Sequence, residues 1–283
     1  MAPVSGYYQR RGKEVTAQPY HRRSGFRVCA HSPWYAVYPS SVPMPRDGWD
    51  RAGDLAAVHS TYASYEQRGR GRLWDQRSAG FAKLHADLLS RLIETLRVAT
   101  RGTTARVLDL GCGAGDLVGV ARSAGIEAEW IGLDLRPAVI EEARLSYPDV
   151  SFMVGSADEV PLPDASIDVV VTQVLFSSLP SSRLERAVAA EVDRLVAPEG
   201  SVVWLDLRYS NPTNPAVHGL SQRRIRALFP SWTVELESAG LLPPVARRLG
   251  PLTSVTYAML AAVRPLRSHL VGRLQRAASS RGV

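Results

Sequence analysis

Cysteine, lysine and long apolar runs are all scarce in this chain, and each scarcity closes a class of explanation. Cys29 and Cys112 are the two cysteines among 283 residues, too few for a disulfide framework or a four-thiolate zinc site. The six histidines fall at no metal-ligand spacing, so no metal centre is expected. So few thiols fit a reducing, cytoplasmic setting. The longest nearly apolar stretch, Val255–Val263 with its Thr256 and Tyr257, is about half the length that a membrane span requires. The start of the chain has no basic region followed by an apolar one, so neither a span nor a cleavable signal is expected. With 45% hydrophobic and 22% charged residues, the chain can bury one core of about 200 residues with additions, or two small ones. Collagenous, coiled-coil and wholly disordered readings are excluded.

The formal net charge of +7 invites a nucleic-acid partner, but its distribution argues otherwise. Residues 1–50 carry seven Lys/Arg against three Asp/Glu, and residues 261–283 carry five arginines and no acid. The remainder is slightly acidic. Lys13 and Lys83 are the two lysines, so the basic excess is nearly all arginine. That is a bias of composition rather than a design for phosphate contact.

The first 50 residues hold Pro3, Pro19, Pro33, Pro39, Pro43 and Pro45 and eight aromatics at no fixed period. They read as an irregular or disordered arm. Residues 51–100 read as a helical lid region. Within it Phe81, Leu84, Leu88, Leu92, Ile93 and Leu96 share one face of a helix over 78–99. Tyr62, Tyr65, Arg72 and Trp74 precede that helix, where a lid could close. From 101 to 276 short β-rich runs alternate with helical patterns. Strands are predicted at 106–110, 129–133, 150–154, 167–172, 201–207, 233–237 and 269–275, and helices at 116–124, 137–147, 181–196, 222–228 and 253–262. The stretch Val169–Val171 is apolar on both faces, as buried parallel strands are. The expected fold is α/β, a doubly wound Rossmann-like sheet of seven strands with helices on both faces, an insertion around 208–230 and a tail at 277–283.

Val107-Leu-Asp109-Leu-Gly111-Cys112-Gly113-Ala-Gly115 places three glycines at alternate positions between a strand and a helix. Glycine there lets the backbone turn tightly and approach a ligand closely. About 20 residues on, Asp134 ends the second predicted strand, where a carboxylate can accept both hydroxyls of a ribose. A nucleoside-containing cofactor follows. A dinucleotide site would have glycine at the position of Asp116, and Asp109 lies just before the turn. A carboxylate about 5 Å from a phosphate charge costs about 3 kcal/mol at an effective dielectric of 20, more than a hundredfold in affinity. S-adenosylmethionine has no phosphate and carries a sulfonium and an ammonium, so the same acids favour it.

These residues resemble the class I S-adenosylmethionine-dependent methyltransferases, whose first motif is the string at 107–115. The resemblance implies cofactor contacts by Asp109, Gly111, Cys112, Gly113 and Gly115, a ribose-binding role for Asp134, and Leu135 beside the adenine. Gly155-Ser-Ala157-Asp158 is similar to the family's adenine-contacting segment, and Thr172-Gln173-Val174-Leu175 to the strand exit lining the methionine part. Asp168, in the turn into the fourth strand, is expected to be structural. The likeness runs over 75–276 and is specific at 107–200. Phe176–Ser178, Trp204–Pro215, Ile225–Pro230 and Leu242–Arg248 look like a bacterial subgroup found among glycan and secondary-metabolite genes. That implies O-methylation of a small hydroxylated acceptor, a sugar or natural-product scaffold. The alternative is an RNA- or protein-directed methyltransferase, or a non-catalytic cofactor-binding module, using the basic termini. Asn-Pro-Pro-Tyr-type motifs of base methylation are absent after the fourth strand. For an oxygen acceptor the candidate bases are His218, Asp206 and Tyr209. His218 stands where the family commonly has Arg.

Overall fold

The strands at the middle of the chain are buried along nearly their whole length, which forces helices onto both sides of the sheet they build. The computed structural model describes residues 48–67, 78–101, 104–211, 214–249 and 253–277. The expected N-terminal arm therefore lies outside the described residues up to position 47, as do Arg72, Trp74 and the tail beyond 277.

Two helices come first: α1 (Arg51–Gln67), begun by Asp50 accepting the amide of Gly53 at 2.8 Å, and α2 (Ala79–Ala99). Strands and helices then alternate: β1 (Arg106–Leu110), α3 (Asp116–Ser123), β2 (Glu129–Asp134), α4 (Pro137–Ser146), β3 (Ser151–Val154) and β4 (Ile167–Gln173). A single 3-10 turn at Phe176–Ser178 leads into α5 (Ser182–Leu195), β5 (Val196–Leu207), α6 (Gln222–Leu228) and β6 (Trp232–Leu241). The short α7 (Pro243–Ala246), α8 (Thr253–Ala262) and β7 (Arg267–Arg276) complete it. The sheet order is β3-β2-β1-β4-β5-β7-β6, parallel except for β7, which runs antiparallel to both neighbours. This is the expected seven-stranded, doubly wound fold.

Side-chain alternation along the strands separates two cores. Val107, Val169, Val171, Val203 and Leu205 face α2, α3, α4 and α8. Leu108, Leu110, Val170, Val202 and Trp204 face α5 and α6. The predicted face of α2 is buried at all six positions, each Leu or Phe contributing roughly 1.5–3 kcal/mol. Asp168 accepts the amide of Arg106 at 2.8 Å and joins the starts of β4 and β1, the structural role expected of it. Three strands, β5, β6 and β7, run well past their sequence patterns. β5 begins at Val196, paired with Ile167 ahead of a register shift, and β6 reaches Leu241 because it pairs along the length of β7. Parallel strands and an order that reverses between β1 and β4 place the loops after β1, β2, β4 and β5 together at one edge, where open α/β sheets bind ligands.

Candidate functional site

At that edge the glycine-rich turn leaves β1 and hangs on β2: Gly111 and Cys112 donate to the carbonyl of Leu133 at 2.7 and 3.0 Å. Gly111 has φ +84°, a left-handed conformation that side chains rarely tolerate. Gly115 serves packing. A Cβ there would stand 2.9 Å from Cζ of Phe152, so the glycine lets the start of α3 close onto β3. The amide of Gly113 donates to Oδ2 of Asp134 at 2.9 Å, joining the two expected cofactor elements before any ligand is considered.

Asp134 is held from its other side by Arg136, whose Nε donates at 3.1 Å and whose guanidinium lies 4.2 Å from the ring centre of Tyr62 on α1. Burial raises the Tyr62 pKa and keeps its phenol neutral. Around this group a cavity is lined by Gly111, Leu133–Arg136, Gly155–Ala157 and Gln173–Leu175. Leu55, Val58 and Tyr62 line it from α1, and Leu179, Leu184 and Val188 from the segment through α5. Six expected cofactor residues thus share its wall: Gly111, Asp134, Leu135, Ala157, Gln173 and Val174. Its free volume is about 90 Å³, against roughly 300 Å³ or more for an ordinary small-molecule pocket. That is smaller than a nucleoside, and Leu55, Val58 and Tyr62 of α1 fill part of the space beside the wall.

Asp158 departs from expectation. It does not line the cavity; its Oδ1 accepts Arg51 Nη2 at 3.1 Å, its Oδ2 accepts Arg51 Nε, and Ser156 completes its shell. An adenine contact is correspondingly blocked here, and the residue latches the first turn of α1. Cys112 and Gly113 also lie behind the cavity wall. Burial among acids pushes the Cys112 thiol well up, so it stays protonated. Asp109 is 3% exposed and accepts no hydrogen bond among the described residues. Burial first, then the charges of Asp134 and Asp116, push its carboxyl up to about 7. An unpartnered acid behind a glycine turn is a place where an added cation is favourable.

The acceptor side is corrected more strongly. Asp206 is fully buried, its oxygens taken by the amides of Ser177 at 3.1 Å and Leu207 at 2.7 Å. Desolvation raises its pKa to about 6, but no substrate can reach it, so it ties the exit of β4 to β5 and is no base. Its neighbour Arg208 does not pair with it; that guanidinium donates to the carbonyl of Arg264 at 2.9 Å. Tyr209 is exposed, donates to the carbonyl of Pro265 at 3.2 Å and lines a second, wider cleft of about 660 Å³. His218 lines neither cavity. Its amide bonds Ser177, its Nε2 lies 2.8 Å from buried Glu185, and Arg224 holds the other oxygen of Glu185 at 2.7 Å.

Other features escaped the sequence reading. Val174 has φ +54°, a strained conformation for a β-branched residue, imposed by its amide bond to Leu205 at 2.7 Å and by Ser178 Oγ on its carbonyl at 3.0 Å. Glu185 carried no signal beyond a place in the first turn of a helix. His269 is buried against Ser268 Oγ at 2.7 Å, and desolvation together with His85 holds its pKa down near 4.

Residues 107–200 match the family model described as a methyltransferase domain. The chain is similar to phthiotriol/phenolphthiotriol dimycocerosates methyltransferase of Mycobacterium leprae, 33% identical over 132 residues, which covers 43% of this chain and 48% of that protein. It is also similar to demethylmenaquinone methyltransferase of Bacillus licheniformis, 29% identical over 170 residues, covering 56% of this chain and 68% of that protein. The chain spans about half the length of the first of these relatives. Among solved structures, a SAM-dependent methyltransferase from Archaeoglobus fulgidus shares the fold with a TM-score of 0.51 and 15% identity, over 66% of this chain and 92% of that one.

Proposed function

We propose that the chain is a class I S-adenosylmethionine-dependent methyltransferase that transfers a methyl group to an oxygen of a small hydroxylated acceptor, a sugar or natural-product scaffold, and the methyltransferase-domain match over residues 107–200 supports the reading. The observation that carries the reading is the pairing of one cavity, built from the glycine turn and Asp134, with a wider cleft at the end of β5 on the same edge of the sheet. The residues present suit the cofactor: a carboxylate for the ribose, small Gly155–Ala157 beside a flat ring, and unpartnered Asp109 where positive charge is welcome. When bound, S-adenosylmethionine supplies an electrophilic methyl group.

The protein's own work is alignment and proton removal. Asp134 and Gly111 hold the nucleoside end, the strained Val174 and Leu175 shape the wall at the exit of β4, and α1 excludes water once closed. An oxygen acceptor sheds a proton as it is methylated, and His218 is the base we assign. Its Nε2 lies 2.8 Å from Oε1 of Glu185, whose other oxygen accepts Arg224, and in the tautomer that donates Nε2–H to Glu185 the Nδ1 lone pair is the basic site. The segment 218–220 is tied to both strand exits, the amide of His218 donating to the carbonyl of Ser177 and that of Leu220 to the carbonyl of Leu207.

The test incubates the full chain with isotopically labelled methyl donor and a panel of sugars and hydroxylated aromatic scaffolds, read by mass spectrometry. The expected product gains one labelled methyl on oxygen. Cofactor binding with transfer only to nitrogen or carbon acceptors, or to RNA or protein, would overturn the O-methylation reading.

A further inference from the structure

The second cleft has a chemistry of its own. Its wall contains three guanidinium groups, those of Arg208, Arg264 and Arg267, with Tyr209, Ser221, Gln222, Glu237 and Ser238. None of the three arginines has a carboxylate within 4 Å among the described residues, whereas Arg51, Arg136, Arg194 and Arg276 each do. The single acid in the wall, Glu237, is spoken for by Arg91 of α2 at 2.6 Å. The cleft therefore keeps a net positive lining.

Two of the three cations are also held in place. Arg267 donates to the carbonyls of Ala261, Ser238 and Ala262 at 2.7, 3.2 and 3.3 Å, which leaves two of its five N–H groups for a ligand. Arg208 donates once, to the carbonyl of Arg264, and its guanidinium sits 4.8 Å from the ring centre of Tyr209. The exposed Arg264 side chain has no hydrogen-bond or ion-pair partner among the described residues. Carbonyl oxygens thus orient the forks of Arg208 and Arg267 without neutralising them, so an anion that binds there need order only Arg264. Guanidinium forks match the two oxygens of a carboxylate or phosphate.

We propose that this cleft is an oxyanion subsite, taking a phosphate or carboxylate group on the acceptor of the methyl transfer; the acceptor part of the proposal rests on the function proposed above. The sheet sets the span. Gln173 lines the cofactor cavity and pairs with Leu205 on β5, and the next residue on β5, Asp206, pairs with Leu270 of β7, which lines the cleft. Two strand spacings of 4.7–4.9 Å, about 10 Å, therefore separate Gln173 in the wall of the cofactor cavity from Leu270 in the wall of the cleft. A free volume of about 660 Å³ suits a small molecule.

The experiment is calorimetric titration of the full chain with inorganic pyrophosphate in one arm and malonate in another, at fixed ionic strength set with chloride. Arg264→Gln is the main variant because its side chain holds nothing in the fold; Arg208→Gln is the second, and Arg101→Gln, outside the cleft, is the control. Saturable binding of one or both anions is expected, weakened at least fivefold by either cleft variant and unchanged by the control. Arg264→Lys should restore part of it, since charge returns without the fork. The stronger arm tells phosphate from carboxylate. No saturable binding of either anion, or binding that the cleft variants leave unchanged, overturns the subsite. S-adenosylmethionine titrated into the same proteins separates the two proposals: anion binding without cofactor binding would remove the methyl-transfer reading and leave the oxyanion site standing.

Discussion

Replacing Asp109 by Asn tests the electrostatics of the cofactor site with a change of one atom type. In the unfolded chain this carboxyl ionises near 3.8, and in the fold burial and its acidic neighbours hold the proton until about pH 7. The folded pKa is raised, so the neutral acid is tolerated at low pH and stability is lost as pH climbs from about 4 through 7. At 1.36 kcal/mol per pH unit, that shift amounts to up to about 4 kcal/mol of destabilisation fully felt above pH 8. Asparagine has no proton to lose. Urea unfolding of the two proteins from pH 4 to 8.5 should show similar stability at the acid end and a variant more stable by about 1–4 kcal/mol at the alkaline end. Taking the difference between the proteins cancels His269, whose depressed pKa gives the opposite slope between about 4 and 6.5. The ligand should reverse the advantage. A cation favours ionised Asp109, so affinity of the parent for S-adenosylmethionine should rise by up to about tenfold per pH unit below 7 and level off above it, while the variant stays flat. A stability difference independent of pH would refute the reasoning, because Asp109 would then be ionised throughout or solvated.

Asp134→Ala should weaken S-adenosylmethionine binding by about 1–3 kcal/mol in calorimetry, through loss of a charged acceptor to the ribose; a change within error would mean that the ribose is held elsewhere. His218→Ala should lower turnover about a hundredfold to ten-thousandfold with cofactor binding intact, and turnover within about threefold of the parent would remove it from proton transfer. Arg51→Gln breaks the latch between α1 and Asp158, a part-buried charged bond worth about 1.5–3 kcal/mol, and stopped-flow mixing should show faster cofactor association; an unchanged rate would mean that α1 does not gate the cavity. Leu92→Ala, at a fully buried position of α2, should cost about 2–5 kcal/mol in chemical unfolding, and a cost below 1 kcal/mol would contradict its place in the core.

What was legible in advance was local in origin. A strand buried on both faces must be apolar throughout, so Val169–Val171 announced itself. A helix with one buried face repeats every three to four residues, as Phe81 to Leu96 do. A turn requiring positive φ selects glycine, which made the turn at Gly111 readable from spacing alone and motivated the proposal of a nucleoside site that includes Asp134. The start of β5 and the ends of β6 were not: Val196 pairs with Ile167 of β4 ahead of a register shift, and hydrogen bonds to β7 extend β6 past its own pattern.

The roles of charged and polar side chains depended on partners far away in the chain, and no spacing encodes those. Asp158 looks free to meet an adenine until Arg51, 107 positions earlier, is folded against it. Asp206 and Tyr209 are three residues apart at the end of one strand, yet one is sealed between backbone amides and the other opens on a cleft. His218 acquires Glu185, and Arg208, Arg264 and Arg267 come together, only when β5, β7 and the loops between them are in place. Sequence periodicity reports which side of an element meets water or core, since that is a property of the element alone. Ionisation, reach and pairing are set by distances of a few ångströms between elements, and those exist only in the folded chain.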